Sequence, residues 1–375
     1  MTYESRSEGS SAPAATQQPA ASSRRAYGRV AVLLDPVAER DAGAPEPEAP
    51  AQSTVPIIAA LTALGYEPEV LPLQAEVAHE WIERLRSGEF RVAFNLCESV
   101  RGSPAAEHLA AAAVELLGLP MTGARSATLL HCLNKDRCAA VLRAHGFAVP
   151  DWRLVGPHDP LPTDWDRFPA IVKPAAQDGS NGIHANSVAR SPSELAAAVE
   201  RLRAKWGSLV VQQFIDGREI NLAIVGNQLL PPAEIDFSDM PEGAEPIVSF
   251  TAKWVSGSPE DLGTRPVCPA PLSPQQAEQL QQLAARVWEL MEGSGYGRVD
   301  VRLTADGTPY VIDVNPNADL SRDAGLARQA WVAGWSYEEL IGKVMEEALA
   351  SHDGKGTPAT DWVLVPAVRA VGGST

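Results

Sequence analysis

The sequence predicts an α/β protein whose C-terminal part turns to α+β, and three observations carry that expectation. The first 120 residues alternate short apolar runs with helical stretches, the pattern of a βαβ unit. Two Asp-Gly dipeptides, Asp216-Gly217 and Asp306-Gly307, each separate two period-2 segments, the pattern of β-hairpins. The second hairpin carries acidic and amide side chains at alternate positions, Asp300 on one arm and Asp313 and Asn315 on the other, so one face of it is polar.

Taken in order, Arg29 to Asp35 is an apolar run suited to a buried parallel strand. Ile57 to Leu64 reads as a helix ended by Gly65, and Glu69 to Leu73 as a second strand. A helix around Ala78 to Arg86 leads into a strand at Arg91 to Leu96, and Ala105 to Leu117 is helical, closed by Gly118. A new segment begins at Pro120-Met121-Thr122-Gly123. A helix runs from Asn134, its expected N-cap, to Ala144. Pro169 to Pro174 is an apolar strand ending in Lys173, and Gln177 to Gly182 is a loop. Leu209 to Ile215 and Arg218 to Val225 form the first hairpin, with Glu219 and Asn221 on its polar face. Thr251 to Trp254 falls in a Gly- and Pro-rich loop region reaching Pro271. Ser273-Pro274 caps a long amphipathic helix through Met291, the second hairpin follows, and a last helix spans Ser336 to Ala350.

At 375 residues the chain is long enough for two or three packed units. Lys plus Arg total 31 against 47 for Asp plus Glu, a formal charge of −16, so nucleic acid and anionic membranes are poor partners. No apolar run reaches membrane-spanning length. The four cysteines show neither metal-ligand spacing nor a disulfide-dense pattern, which fits buried free thiols in a reducing, cytoplasmic setting. Residues 1–26 have no apolar core of a secretory signal and read as disordered.

If Asp306-Gly307 is a two-residue loop, Ala305 pairs with Thr308, Asp300 with Asp313 and Arg298 with Asn315, all four sharing a face. Opposed carboxylates repel unless a cation sits between them. Two carboxylates and an amide without Cys or His suit Mg²⁺ or Mn²⁺ better than zinc. The alternative is a solvated hairpin one residue out of register. Lys135, in the first turn of its helix, opposes the helix dipole and so either reaches for an anion or is solvated. Lys173 at a strand tip before Gly179-Ser180-Asn181-Gly182 has the form of a phosphate cradle, without a Walker sequence.

Lys135, Lys173 with its loop, the Gln212 to Glu219 segment, Lys253, and Arg298-Asp300 with Asp313-Asn315 together resemble the ATP-grasp superfamily, and most nearly D-alanine–D-alanine ligases, over about residues 90–350. Leu117 to Gly123 and Phe214 to Glu219 add to the likeness. The resemblance implies an ATP-grasp fold with a Rossmann-like N-terminal domain and ATP between two α+β subdomains. It divides the chain into a tail (1–26), the N-terminal domain (27–120), a central subdomain (121–206), a C-terminal subdomain with the metal site (207–350) and a loose tail (351–375). It further implies that Lys135 and Lys173 contact the α/β-phosphates and that Gly179, Ser180, Asn181 and Gly182 close over the nucleotide. Gln212, Gln213, Phe214 and Ile215 would line the adenine slot, and Glu219 would hold the ribose. Lys253 would approach the γ-phosphate, Asp300, Asp313 and Asn315 would hold Mg²⁺, and Arg298 would stabilise the tetrahedral intermediate. A homodimer is the family expectation.

The implied activity is an ADP-forming carboxylate–amine ligase working through an acyl phosphate. Several positions depart from the family. Asp35-Pro36 replaces a Gly-Gly turn, leaving Glu39 as a weak match for a substrate glutamate; Glu98 and Arg101 stand where the family has His-Gly and Gly-Glu-Asp-Gly; and Ser321 and Arg322 follow the metal strand as candidates for the acceptor carboxylate. Gln212 stands where a Glu is usual, and its amide oxygen still accepts a hydrogen bond. These departures favour small amino-acid-like carboxylate and amine substrates in specialised metabolism. The alternatives are an authentic D-alanine–D-alanine ligase and a non-catalytic nucleotide-binding module.

Overall fold

The computed structural model describes residues 27–36, 54–74, 77–352 and 361–372; the N-terminal tail and Glu39 lie outside the described residues. Among the described residues the strands form three sheets. The first is parallel and is built from β1 (Arg29–Leu34), α1 (Thr54–Ala63), β2 (Glu67–Pro72), α2 (Ala78–Ser87), β3 (Phe90–Asn95) and α3 (His108–Leu116), in the order β2-β1-β3. Its central strand is covered on both sides, which is why β1 reads as an unbroken apolar run. Val30 and Val32 pack with Ile57 and Leu61, and Ala31 and Leu33 with Trp81, Leu85 and Val114.

The second unit holds α4 (Ser126–Leu133), α5 (Lys135–Ala144), β4 (Trp152–Val155), β5 (Ala170–Pro174), β6 (Val188–Ala189), α6 (Pro192–Trp206) and β7 (Leu209–Gln213), its antiparallel sheet ordered β4-β7-β5-β6. Val172, Leu209 and Val211 face α6. Strand alternation therefore turns Lys173 and Gln212 to the opposite side.

The third sheet holds β8 (Arg218–Val225), β9 (Gln228–Leu229), β10 (Ala233–Asp236), β11 (Arg265–Val267), β12 (Tyr296–Leu303), β13 (Pro309–Asn315) and β14 (Val363–Leu364). It is accompanied by α7 (Phe250–Trp254), α8 (Pro259–Leu262), α9 (Pro274–Leu290), α10 (Gly325–Val332) and α11 (Tyr337–His352). Helix α9 begins as expected, with Ser273 accepting from the Gln276 N–H in a capping box and Pro274 at the first position. Its Leu280, Leu283, Val287 and Trp288 bury the back of the sheet against Ile220, Leu222, Val299, Val301, Val311 and Val314, each large side chain contributing about 1.5–3 kcal/mol. The Trp288 ring fills the space where a side chain on Gly297 would stand, so the residue before Arg298 must be glycine. Helix α11 packs Leu340, Ile341, Val344 and Met345 onto the first sheet and α1, tying the chain's end to its beginning.

Several expectations change. Asp216-Gly217 does not close a hairpin: β7 is paired on both edges by β4 and β5, so the chain crosses to the third sheet instead. The crossing passes so close to Leu303 that a Cβ on Gly217 would strike its carbonyl. Strand β7, beyond the expected division at 206/207, pairs with β4 and β5 in the second sheet, and Met121, beyond residue 120, bridges to Ala93 of the first. The region around Thr251 is two short helices, capped by Ser249 and Ser258. Asn134 occupies the N-cap position of α5, yet its amide donates to the Leu130 carbonyl instead of capping. Of the C-terminal stretch, residues 361–372 are docked, because β9 has a free edge: Val363 and Leu364 pair with Gln228 and Leu229, and Val371 bridges Cys268. All four cysteines are free and buried, as expected.

In the second hairpin Asp300 does pair with Asp313 and Arg298 with Asn315. The loop is a residue longer than expected, however, since Thr304 bonds to Thr308 and Leu303 pairs with Pro309. A bulge at Ile312 restores the register before the polar face begins.

Candidate active site

The polar faces of the second and third sheets enclose one cavity of about 300 Å³. Register sets out its floor in rows across the third sheet. Asp313, Asp300, Asn221 and Ala233 form one row, and Arg302, Glu219, Ile235 and Pro266 the next. The second sheet contributes Ile171, Lys173 and Gln212. The bulge places Ile312 beside Asp313 on the cavity side, where plain alternation would have buried one of them.

Asp300 is the most heavily bonded group. Arg298 grips it with Nε to Oδ1 at 2.7 Å and Nη2 to Oδ2 at 2.9 Å. Asn221 Nδ2 donates to Oδ1 at 2.8 Å and Asn315 Nδ2 to Oδ2 at 3.0 Å. Each carboxylate oxygen thus accepts two hydrogen bonds, which saturates it. The opposed carboxylates were expected to need a metal between them, whereas protein cations already neutralise them. Arg298 serves Asp300, and Lys135 Nζ lies 3.5 Å from Asp313 Oδ1 and 3.6 Å from Asp178 Oδ1. Burial opposes the Lys135 charge, but Asp313 and Asp178 outweigh it and hold its proton above the ordinary range. Burial likewise works against ionised Asp313, and Lys135, Lys173 and Arg298 overcome it, leaving the carboxyl below its usual range.

Lys173 differs. It is buried and makes no ion pair among the described residues; burial, aided by the neighbouring Lys135 charge, brings it down to about 8 against the partial support of Asp313. A buried ammonium without a counter-charge is a costly arrangement that an incoming anion relieves. Lys253, on α7, lies over the Trp254 ring, whose Nε1 donates to the Gly179 carbonyl at 2.8 Å. Ser180 Oγ donates to the Val248 carbonyl at 2.8 Å and Asn181 to the Asp178 carbonyl at 2.9 Å, so the loop is folded over the cavity against α7. Gly179 and Ser180 both have positive φ, 63° and 60°, which the glycine supplies without strain.

Away from the lysines the walls are apolar: Ile171, Phe214, Ile215, Ile235 and Ile247, with Gln212 and Gln213 as the uncharged polar groups. Glu219 closes this slot, its Oε2 held at 2.8 Å by Arg302 Nη2. Burial raises the Glu219 carboxyl, and Arg302 pulls it back only in part. Arg302 also donates to the Gly217 carbonyl at 3.1 Å and lies over the Phe214 and Phe237 rings, so it pins the crossover to the sheet.

Most residues singled out from sequence meet here: Lys135, Lys173, Gly179, Ser180, Asn181, Gln212, Gln213, Phe214, Ile215, Glu219, Lys253, Arg298, Asp300, Asp313 and Asn315 all line the cavity. Gly182 does not, being pressed against Pro174 and Trp206. Glu98 is exposed on the loop after β3, and Arg101 is exposed with φ 57°. Ser321 turns back to Asp319 (Oγ to Oδ1, 2.6 Å), and Arg322 pairs with Glu338 at 2.8 Å above the Tyr337 ring, outside the cavity. Asp178, Asn221, Arg302 and Arg328 line it without having been assigned a role. Arg302 was within reach of the alternation that exposed Asp300, standing two residues further along β12. No helix among the described residues is long and apolar enough to cross a membrane.

Residues 142–346 match the family described as D-ala D-ala ligase C-terminus. Among relatives, an uncharacterized protein of Sinorhizobium fredii is 30% identical over 269 residues, spanning 70% of this chain and 76% of that protein. The D-alanine–D-alanine ligase of Oleidesulfovibrio alaskensis is 29% identical over 257 residues, 68% of this chain and 79% of that one. Among solved structures, the D-alanine–D-alanine ligase of Bacillus anthracis complexed with ATP shares the fold. It has a TM-score of 0.67 at 21% identity, over 87% of this chain and 99% of that chain.

Proposed function

Because this chain belongs to the D-alanine–D-alanine ligase family, ATP-grasp enzymes that are ADP-forming carbon–nitrogen ligases, we propose that it joins two amino acids by D-alanyl-D-alanine-type ligation. Relatives bearing that name support this reading better than the ligase of specialised metabolism expected from the sequence departures. The observation that carries it is Lys173, a buried cation in the cavity without an ion pair among the described residues, beside Lys135 and Lys253. Three ammonium groups converging on one end of the cavity suit a polyphosphate, and the apolar slot ending in Glu219 suits a base and its ribose.

In this reading the first substrate's carboxylate attacks the γ-phosphate, the bond to the β-phosphate oxygen breaks, and ADP leaves an acyl phosphate. Lys173 and Lys253 offset the charge gathering on the transferred group. The amine of the second substrate then attacks the acyl carbon. Arg298 faces the oxyanion that develops, phosphate departs with the C–O bond pair, and the ammonium's surplus protons pass to solvent. The donor set fits Mg²⁺ or Mn²⁺, since Asp313 is held ionised and Asn315 keeps its amide oxygen. Those two residues would hold the ion. Asp300, with its lone pairs filled, would join only by exchanging one of its bonds from Arg298 or an amide. Bound there, the cation would neutralise phosphate charge during transfer.

A second reading, a different first amino acid, is favoured by the loop after β3. Buried Asp35 takes hydrogen bonds from Ser99 Oγ (2.6 Å) and Gly102 N (3.0 Å), fixing a loop on which Glu98 is an exposed residue. One experiment separates the two: ADP release with MgATP and D-alanine, then with a panel of D- and L-amino acids, the products weighed by mass spectrometry. Robust D-alanyl-D-alanine supports the first reading. A different dipeptide supports the second, and ATP hydrolysis without any amide overturns both.

A further inference from the structure

Arg328 has an unusual position for an arginine. It sits in the first turn of α10, half-buried, and lines the same cavity as Arg298 and Asp300. Of its five N–H donors one is engaged, Nη2 donating to the Asp323 carbonyl at 2.7 Å, and it makes no ion pair among the described residues. Burial lowers its pKa, with Cys268 and Asp323 opposing that only in part, so the fold holds a poorly solvated guanidinium in place. Nothing in the nucleotide arrangement uses it, because the ammonium groups of Lys135, Lys173 and Lys253 gather at the end next to Asp313 and the glycine loop.

The placement of α10 gives Arg328 a direction. The helix starts at Gly325, where a side chain would touch Arg298 Nη1, and it is anchored one strand further on by Gln329, whose Oε1 accepts from the Ala223 N–H at 3.2 Å. Arg328 stands between these two residues along the helix and lines the same cavity as Ala233 and Pro266, with Cys268, which packs with Ala233, close enough to act on its charge. Ala233 is two strands from Asp300, about 10 Å at the usual strand spacing, and an amino acid with its two ends engaged spans most of that once the arginine side chain is counted. The two residues expected from sequence to bind an acceptor carboxylate are engaged elsewhere, Ser321 with Asp319 and Arg322 with Glu338.

We propose that Arg328 grips the carboxylate of the incoming amine substrate, so that the acceptor is read as a free amino acid and its amine is aimed at the acyl carbon beside Arg298. This rests on the ligase reading above. A guanidinium with four open donors can take a carboxylate bidentately, and such pairs are the stronger, charge-assisted kind. It also gives the cavity two anion-binding ends, phosphates at Lys173 and carboxylate at Arg328, with the reacting atoms between them.

The test compares D-alanine with D-alaninamide as acceptors, D-alanine being present as donor and the two products weighed separately. The intact enzyme should use the free acid about 100-fold better in kcat/KM. Arg328→Met should raise the acceptor KM about 100-fold, bring the acid-to-amide ratio to within about threefold, and leave the affinity for ATP unchanged by calorimetry. Arg328→Lys should recover part of the ratio, which a merely structural role would not produce. If the intact enzyme takes D-alaninamide as well as D-alanine, or if Arg328→Met weakens ATP binding while keeping the ratio, the proposal fails and the ligase reading stands. Should neither acceptor give an amide while ATP still binds, both the proposal and the D-alanyl reading fall.

Discussion

Two sheets face the same cavity and furnish it in opposite ways. The third sheet supplies groups that already satisfy one another: Asp300 accepts four hydrogen bonds, and Glu219 is held by Arg302. The second sheet supplies Lys173 and Gln212, which have no hydrogen-bonding or ionic side-chain partner among the described residues. The difference separates two kinds of site residue. A saturated group keeps its geometry whether or not a ligand is present, and an unsatisfied one stores a cost that ligand binding removes. Substitution of a saturated group should therefore damage stability first, and substitution of an unsatisfied one should damage affinity.

The largest expected effect tests the unsatisfied side. Lys173→Met should lower kcat/KM for ATP about 1,000-fold, roughly 4 kcal/mol, while Tm stays level or rises because a buried unpaired charge is gone. A fall in both quantities would place Lys173 among the saturated groups and break the contrast. On the opposing sheet, Asp300→Ala removes a buried carboxylate and leaves the half-buried Arg298 without its partner, and should cost about 3 kcal/mol of folding stability by denaturant titration. An unchanged midpoint would show that the network is not mutually supporting. Asn221→Ala removes a single buried bond to a charged acceptor and should cost about 2 kcal/mol of stability by denaturant titration, a smaller loss than Asp300→Ala. The smallest effect comes from pH. Burial brings Lys173 down to about 8 against an ordinary 10.5, so the charge proposed to bind phosphate disappears as pH rises through 8. In that limb kcat/KM for ATP should fall up to tenfold per pH unit, about 1.4 kcal/mol each. Between 8 and 10.5 the unfolded chain holds more protons at this residue, so its contribution makes stability rise with pH while affinity falls. A flat profile up to pH 9.5 would remove Lys173 from the nucleotide's surroundings.

Much of the site was legible because it lies on strands, where side chains alternate and a turn fixes register. Asp300, Asp313, Arg298 and Asn315 came from that rule, although the loop was longer and the bulge at Ile312 corrected for it. The same rule misread Asp216-Gly217, since local turn chemistry cannot show that both edges of β7 are already taken. The two short helices around Lys253 were missed because their extent is below what apolar periodicity can register, though Ser249 and Ser258 were readable as caps. Arg328 left no trace: a lone arginine in a helix looks like any solvated charge until the helix is placed over the sheet. The docking of Val363 and Leu364 depended on a free edge at β9, which only the assembled sheet discloses.

The bulge at Ile312 has a bearing on how this protein can change over generations. Losing one residue from the middle of a strand normally inverts every side chain beyond it. Here Val311 already pairs with Val301 and Asp313 with Asp300, so Ile312 is the one residue that the ladder skips. An in-frame deletion of its codon would leave both pairings, and both carboxylates, on the faces they now occupy. Chain length at the heart of this enzyme is therefore open to drift at one position, and homologues lacking that residue can keep the same chemistry without any compensating insertion.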